Sequence, residues 1–137
     1  GISLTGTTGH IQVTGNRVFN QFANYIYNGT AAQVTGNGFP TTIKNLTINN
    51  TAGVTLSANT SVNGALNLIN GNLLTNVNTL SVGTSVNNPG SLNVTACKAI
   101  GNFNRWISNS SNILFPVGTS ATHQLSLIML LEVVHLL

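Results

Sequence analysis

A chain of 137 residues, 42% hydrophobic and 4% charged, has the length of one domain but far less charge than the roughly 25% of an ordinary soluble protein. Disordered chains combine low hydrophobicity with high net charge, so this composition excludes disorder as the governing state. The net charge of +3 reflects a single acid, Glu132, and the cations Arg17, Lys44, Lys98 and Arg105 are scattered, which argues against the clustered phosphate contacts of a nucleic-acid partner.

From the N terminus onward the chain repeats short apolar-x-apolar units: Ile11-x-Val13, Ala32-x-Val34, Leu46-x-Ile48, Val54-x-Leu56, Leu66-x-Leu68, Leu80-x-Val82 and Leu92-x-Val94. Each has the period of a strand with one face inward. Turn pairs lie between them, among them Asn28-Gly29, Asn63-Gly64, Asn70-Gly71 and Asn87-Asn88. Thr, Val, Ile and Leu favour strands, while Gly and Asn punctuate turns. No helical period precedes residue 124, and an all-β fold is predicted.

A longer register overlies the strands. A shift of about 20 residues sets Leu46 and Ile48 on Leu66 and Leu68, Val62 on Val82, Val34 on Val54, and Asn50 on Asn70, the length of one solenoid coil. The predicted architecture is therefore a parallel β-solenoid (a β-helix) with coils of about 20 residues; the alternative is a β-sandwich joined by Asn-Gly type I′ hairpins. In-register coils would place like residues about 4.8 Å apart, so Asn side chains could bond up the stack as ladders and repeated charges would repel. Asn also tolerates the left-handed backbone of tight corners.

The whole chain, 1–137, reads as one solenoid domain. Repeating coils fill 1–96. A more heavily packed closing region occupies 97–122 and gathers Cys97, Lys98, Phe103, Arg105, Trp106 and Phe115, with Pro116 and Gly118 ending a strand. An atypical apolar tail runs over 123–137; it is shorter than the about 20 residues needed to span a bilayer, so no membrane span is predicted. The tail could form a terminal strand, a short amphipathic helix or the result of truncation. No signal peptide is visible at Gly1, which is the expectation for a mature form or a fragment.

The residues for catalysis are sparse, and the chain is not expected to be an enzyme. Glycoside hydrolysis normally pairs two carboxylates, whereas Glu132 is alone, and the absence of Asp removes a Ser-His-Asp triad. Calcium would want several oxygen ligands including carboxylates. Cys97 with His10, His123 or His135 could form a Cys-His pair or a zinc set only if scattered residues converged; a buried, inert thiol is the simpler reading, and no metal or cofactor is expected. A single Cys is consistent with a bacterial surface protein without fixing the compartment. Sequons at Asn28, Asn45, Asn49, Asn59, Asn93 and Asn109 are expected by chance in so Asn- and Thr-rich a chain. Among the aromatics, Phe103, Trp106 and Phe115 read as end caps of the core. Tyr25 and Tyr27 share one strand face and are the candidate ligand contacts, for aromatic rings stack on sugars, although they too could cap the core.

The segment from Asn24 to Pro40, NYIYNGTAAQVTGNGFP, resembles a recurring stretch of large secreted surface proteins of Bacteroidota-type bacteria. The resemblance continues through Ile43–Asn50, Val54–Leu56, Leu73–Thr75 and Leu80–Val82, and closes on Phe115-Pro-Val-Gly-Thr119, similar to that group's FPVGT ending. It implies a repetitive adhesin or surface fibre, exported by a route that reads a C-terminal sorting domain, at the bacterial cell surface. No sorting domain is recognisable here. Where the group continues after FPVGT with Tyr and Pro, this chain has His123 and Gln124.

Two roles follow as expectations. The first is an extracellular structural protein that self-associates head to tail, as a fibre subunit or stalk module, because a solenoid has open strand edges at both ends and this chain has few charges with which to blunt them. The second is an adhesin module that binds glycan or a host surface through Asn/Thr-rich faces, with avidity supplied by repetition.

Overall fold

The computed structural model describes residues 1–5, 13, 15–108, 112–118 and 125–128, with Asn112 and the last stretch given by backbone alone. The described residues hold strands and turns but no helix. Strands β1 (Asn24–Tyr27), β2 (Gln33–Val34) and β3 (Thr42–Ile43) form the first full coil, and β4 (Asn45–Asn49), β5 (Val54–Thr55) and β6 (Thr60–Val62) the second. In the third coil, β7 (Ala65–Asn70) leads into the long β8 (Asn72–Val82); β9 (Ser91–Val94) and β10 (Lys98–Arg105) make the fourth.

Stacking joins these strands into two sheets. One runs β1-β4-β7-β9. The other has the order β2-β5-β8-β6-β3, because Leu73 and Leu74 of β8 lie beside β5 while Leu80 to Val82 lie beside β6. β10 stacks along β8 over both legs. Every one of these pairings is parallel, so the chain is a β-solenoid of about four turns with strands about 21 residues apart. Parallel pairing excludes the sandwich of hairpins, whose neighbours would run antiparallel. Asn63-Gly64 and Asn70-Gly71 stand at coil corners instead. Gly71 has φ +76°, and a Cβ there would fall on the carbonyl oxygen of Asn50; no L side chain suits that corner.

Alternation carries the core. Tyr25, Leu46, Leu66 and Leu92 stack in one row, and Tyr27, Ile48, Leu68 and Val94 in the next. Val54 and Leu73 form a third row, and Ile43, Val62 and Val82 a fourth. Of these, all but Leu92 and Val94 are buried. Each buried aliphatic side chain contributes about 1.5–3 kcal/mol, so the stacked rows bind one coil to the next.

Two expected alignments slip by one residue. Val34 lies opposite Thr55, not Val54, so it points outward and is exposed, while Thr35 is buried in its place. A slip of one residue exchanges the faces of a strand. Asn70 lies opposite Asn49 rather than Asn50, since a bulge between Ile48 and Asn49 shifts the register. Asn50 turns inward and is fully buried. Its amide donates to Ala31 O (2.8 Å) and Gln33 Oε1 (2.9 Å), and its oxygen accepts from Ala52 N–H (2.9 Å).

The two ends differ. At the N-terminal end Phe39 meets Tyr25 and Tyr27 edge to face, at 5.0 and 5.9 Å between ring centres, with Ile2 and Phe19 packed against the core. Ile2 N–H bonds Thr35 O, and Gly38 N–H bonds Ile2 O. At the other end Ala99 N–H bonds Pro116 O, and Phe103 meets Phe115 at 6.1 Å. Of the closing region expected over 97–122, residues Lys98–Arg105 form β10. Strand β11 (Asn112–Phe115) pairs antiparallel with β12 (Leu125–Ile128), so this part of the apolar tail is a strand; the tail's other residues lie outside those described. No described helix is long and apolar enough to cross a membrane.

Candidate functional site

The outer face of the first sheet carries small neutral polar groups bonded to one another, interrupted on β1 by the exposed Ile26. Asn45 Nδ2 donates to Asn24 Oδ1 at 2.7 Å, and Asn70 Nδ2 to Asn49 Oδ1 at 2.7 Å. In a third ladder Asn93 Nδ2 donates to Asn67 Oδ1 (2.8 Å), and Asn67 Nδ2 to Thr47 Oγ1 (3.1 Å). Residues on one face of successive parallel strands lie about 4.8 Å apart, within reach of these amides. The ladders knit the coils laterally.

The two tyrosines named as ligand contacts are not on this face. Tyr25 and Tyr27 are buried, because the register stacks them on Leu46 and Ile48. Tyr25 Oη donates to Asn20 O (2.8 Å), Tyr27 Oη to Thr35 O (3.2 Å), and burial raises the Tyr27 pKa. An exposed sugar-stacking pair is therefore corrected to a core plug. The aromatic rings offered to solvent are others: Phe22, 72% exposed, and Trp106, 45% exposed. Trp106 thus departs from the end-cap reading. Phe22 precedes the first strand, where no alternation marks its side, and Trp106 follows the last residue of β10.

Each exposed ring borders a groove. A cavity of about 500 Å³ at the C-terminal end is lined by Ser81, Phe103, Asn104, Arg105, Trp106 and Phe115. There Arg105 donates from Nη1 to Leu114 O (2.9 Å), and desolvation lowers its pKa. The second groove, of about 320 Å³, follows the corner between coils and is walled by Phe22, Ile43, Lys44 and Asn63. Its geometry is fixed by backbone bonds from Lys44 N–H to Gln21 O and from Gly64 N–H to Lys44 O, both 2.8 Å. Phe22 is held at the rim by a braced turn: its N–H bonds Asn20 Oδ1 (2.8 Å), and Asn20 O accepts from Ala23 N–H and Tyr25 Oη.

Cys97 is a fully buried free thiol. Burial pushes its pKa up to about 12, against the pull of backbone bonds from Leu73 and Lys98, so the thiolate needed for nucleophilic or metal chemistry is disfavoured. His10, His123, His135 and Glu132, the other members of the Cys-His and zinc sets, lie outside the described residues. No family model, curated protein or solved structure matches this chain.

Proposed function

We propose that the chain is a structural module of a secreted bacterial surface protein, a rigid length of stalk or fibre that associates end to end with further solenoid. The supporting observation is the set of ladders Asn24–Asn45, Asn49–Asn70 and Thr47–Asn67–Asn93. These amides bond within the stack, stiffening it with hardly any charge. The C-terminal edge offers the point of growth. Among the described residues β9 pairs only with β7, and Leu92 and Val94, which stand in the core rows, are only partly buried. An unpaired strand edge with apolar side chains at inward positions is a template for another strand. At the opposite edge of this sheet β1 likewise pairs only with β4 among the described residues, so a head-to-tail contact would set β9 beside β1 of the next copy.

Sedimentation equilibrium tests the reading. Wild-type chain is expected to associate with rising concentration, and Leu92→Lys, a charge at the open edge, to remain monomeric. A wild-type chain that stays monomeric at the highest concentrations overturns end-to-end association.

A second reading, an adhesive module for glycans, is favoured by Phe22, an exposed aromatic ring on a braced turn beside a largely apolar groove that Lys44 and Asn63 also line. The two readings are compatible, since a stalk can carry a binding site on its flank.

A further inference from the structure

We propose that the corner groove beside Phe22 binds a hexuronate residue of an acidic glycan. The proposal rests on the adhesive reading and gives that reading a site and a ligand class.

Three groups on the groove wall differ in chemistry and match three parts of such a sugar. Phe22 supplies an exposed apolar face, which suits the C–H face of a pyranose ring. The braced turn fixes its backbone, through Asn20 Oδ1 to Phe22 N–H and Asn20 O to Ala23 N–H and Tyr25 Oη, so little ordering entropy remains to be lost on binding. Asn63 carries a side-chain oxygen that is buried without a hydrogen-bond partner. A buried acceptor left unpaired is costly, so a turn of the Asn63 amide toward the groove, where a sugar hydroxyl would supply the missing donor, is favoured on binding. Lys44 is exposed on the same wall. The chain's single acid, Glu132, lies outside the described residues, and no described residue bears a carboxylate side chain to pair with the Lys44 ammonium. A ligand carboxylate would provide that pairing.

The ring face, the hydroxyl and the carboxylate belong together in a uronic acid. A neutral hexose would leave Lys44 with only hydroxyls to contact, and a small carboxylate alone would leave Phe22 uncovered. One such subsite binds weakly, and a polymer with many uronates would gain by avidity across copies.

The test is a titration of the full chain with trigalacturonate, followed by amide NMR, beside galactotriose and the variants Phe22→Ala and Lys44→Met. Phe22 and Lys44 are exposed, so both variants keep the fold. Trigalacturonate is expected to shift amides of Gln21, Phe22, Lys44, Asn63 and Gly64. Phe22→Ala should weaken binding about tenfold or more, equivalent to at least about 1.4 kcal/mol. Lys44→Met should remove both the salt dependence and the preference over galactotriose. Shifts confined to other surfaces, or affinity unchanged in Phe22→Ala, overturn this groove while leaving glycan binding elsewhere on the chain. No binding of trigalacturonate also overturns it, and a glycan array with the same protein then shows whether the adhesive reading falls as well.

Discussion

Asn93 donates a 2.8 Å hydrogen bond to Asn67, a residue 26 positions earlier in the chain. The register puts them side by side on β9 and β7, and Asn67 passes the pattern on to Thr47. Neighbouring rungs are separated by 20 or 21 residues. The wider gap to Asn93 arises because residues 83–90 form an extra loop, closed by the Ser85–Asn88 bridge, before the chain rejoins the stack. The ladder and the strand register thus both survive an insertion that breaks the sequence repeat.

Removing the central rung tests what the ladder contributes. Asn67→Ala breaks both of its bonds on a partly exposed face and should cost about 1–2 kcal/mol, from about 0.5–1.5 kcal/mol per hydrogen bond. Urea unfolding measures the loss. An unchanged midpoint would show that the ladders follow the stack without stabilising it.

Asn50 should matter more than its surface relatives. Asn50→Ala empties a fully buried position and removes three hydrogen bonds, those to Ala31 O and Gln33 Oε1 and that from Ala52 N–H, for an expected loss of about 2–4 kcal/mol. Asn49→Ala, which removes one exposed rung, should cost no more than about 1 kcal/mol. The same unfolding series compares them.

Gly71→Ala meets both a steric and a conformational barrier, the Asn50 carbonyl and a φ of +76°. A destabilisation of at least about 2 kcal/mol is expected, read as a lowered thermal midpoint. Gly15, where an added Cβ meets nothing, is the control.

Alkaline pH should weaken the fold through Cys97 and Tyr27. The Cys97 thiol has a pKa raised from its ordinary 9.0 to about 12 by burial. The folded state therefore holds its proton where the unfolded state has released it, and stability falls as pH rises. The loss begins near pH 9, is complete near pH 12, and cannot exceed about 1.4 kcal/mol per pH unit for one proton. Tyr27, raised from 10.0, adds its share from pH 10 upward. Cys97→Ala should flatten the first part of the decline, and native chain at pH 8 should resist thiol alkylation until it is unfolded.

Much of the stack was legible in the sequence because period 2 survives in units as short as Leu46-x-Ile48, and Leu66-x-Leu68 repeats it at the right distance. The same spacing misplaced Val34, since β2 and β5 pair 21 residues apart and only the opposite neighbour, Thr35, turns inward. The shared face of Tyr25 and Tyr27 was readable, but its direction was not without their register on Leu46 and Ile48. A shift of 21 residues, rather than 20, would have shown it. The groove at Phe22 leaves no such signature. It is assembled from a turn, a corner of the next coil and the residue below, which come together only through stacking.

Electron microscopy of the purified chain across a concentration series tests end-to-end association most directly. Particles that lengthen with concentration, with an axial repeat near about 4.8 Å, are expected if the open β9 edge joins further solenoid. Discrete single-copy particles at every concentration would contradict a self-associating fibre or stalk module.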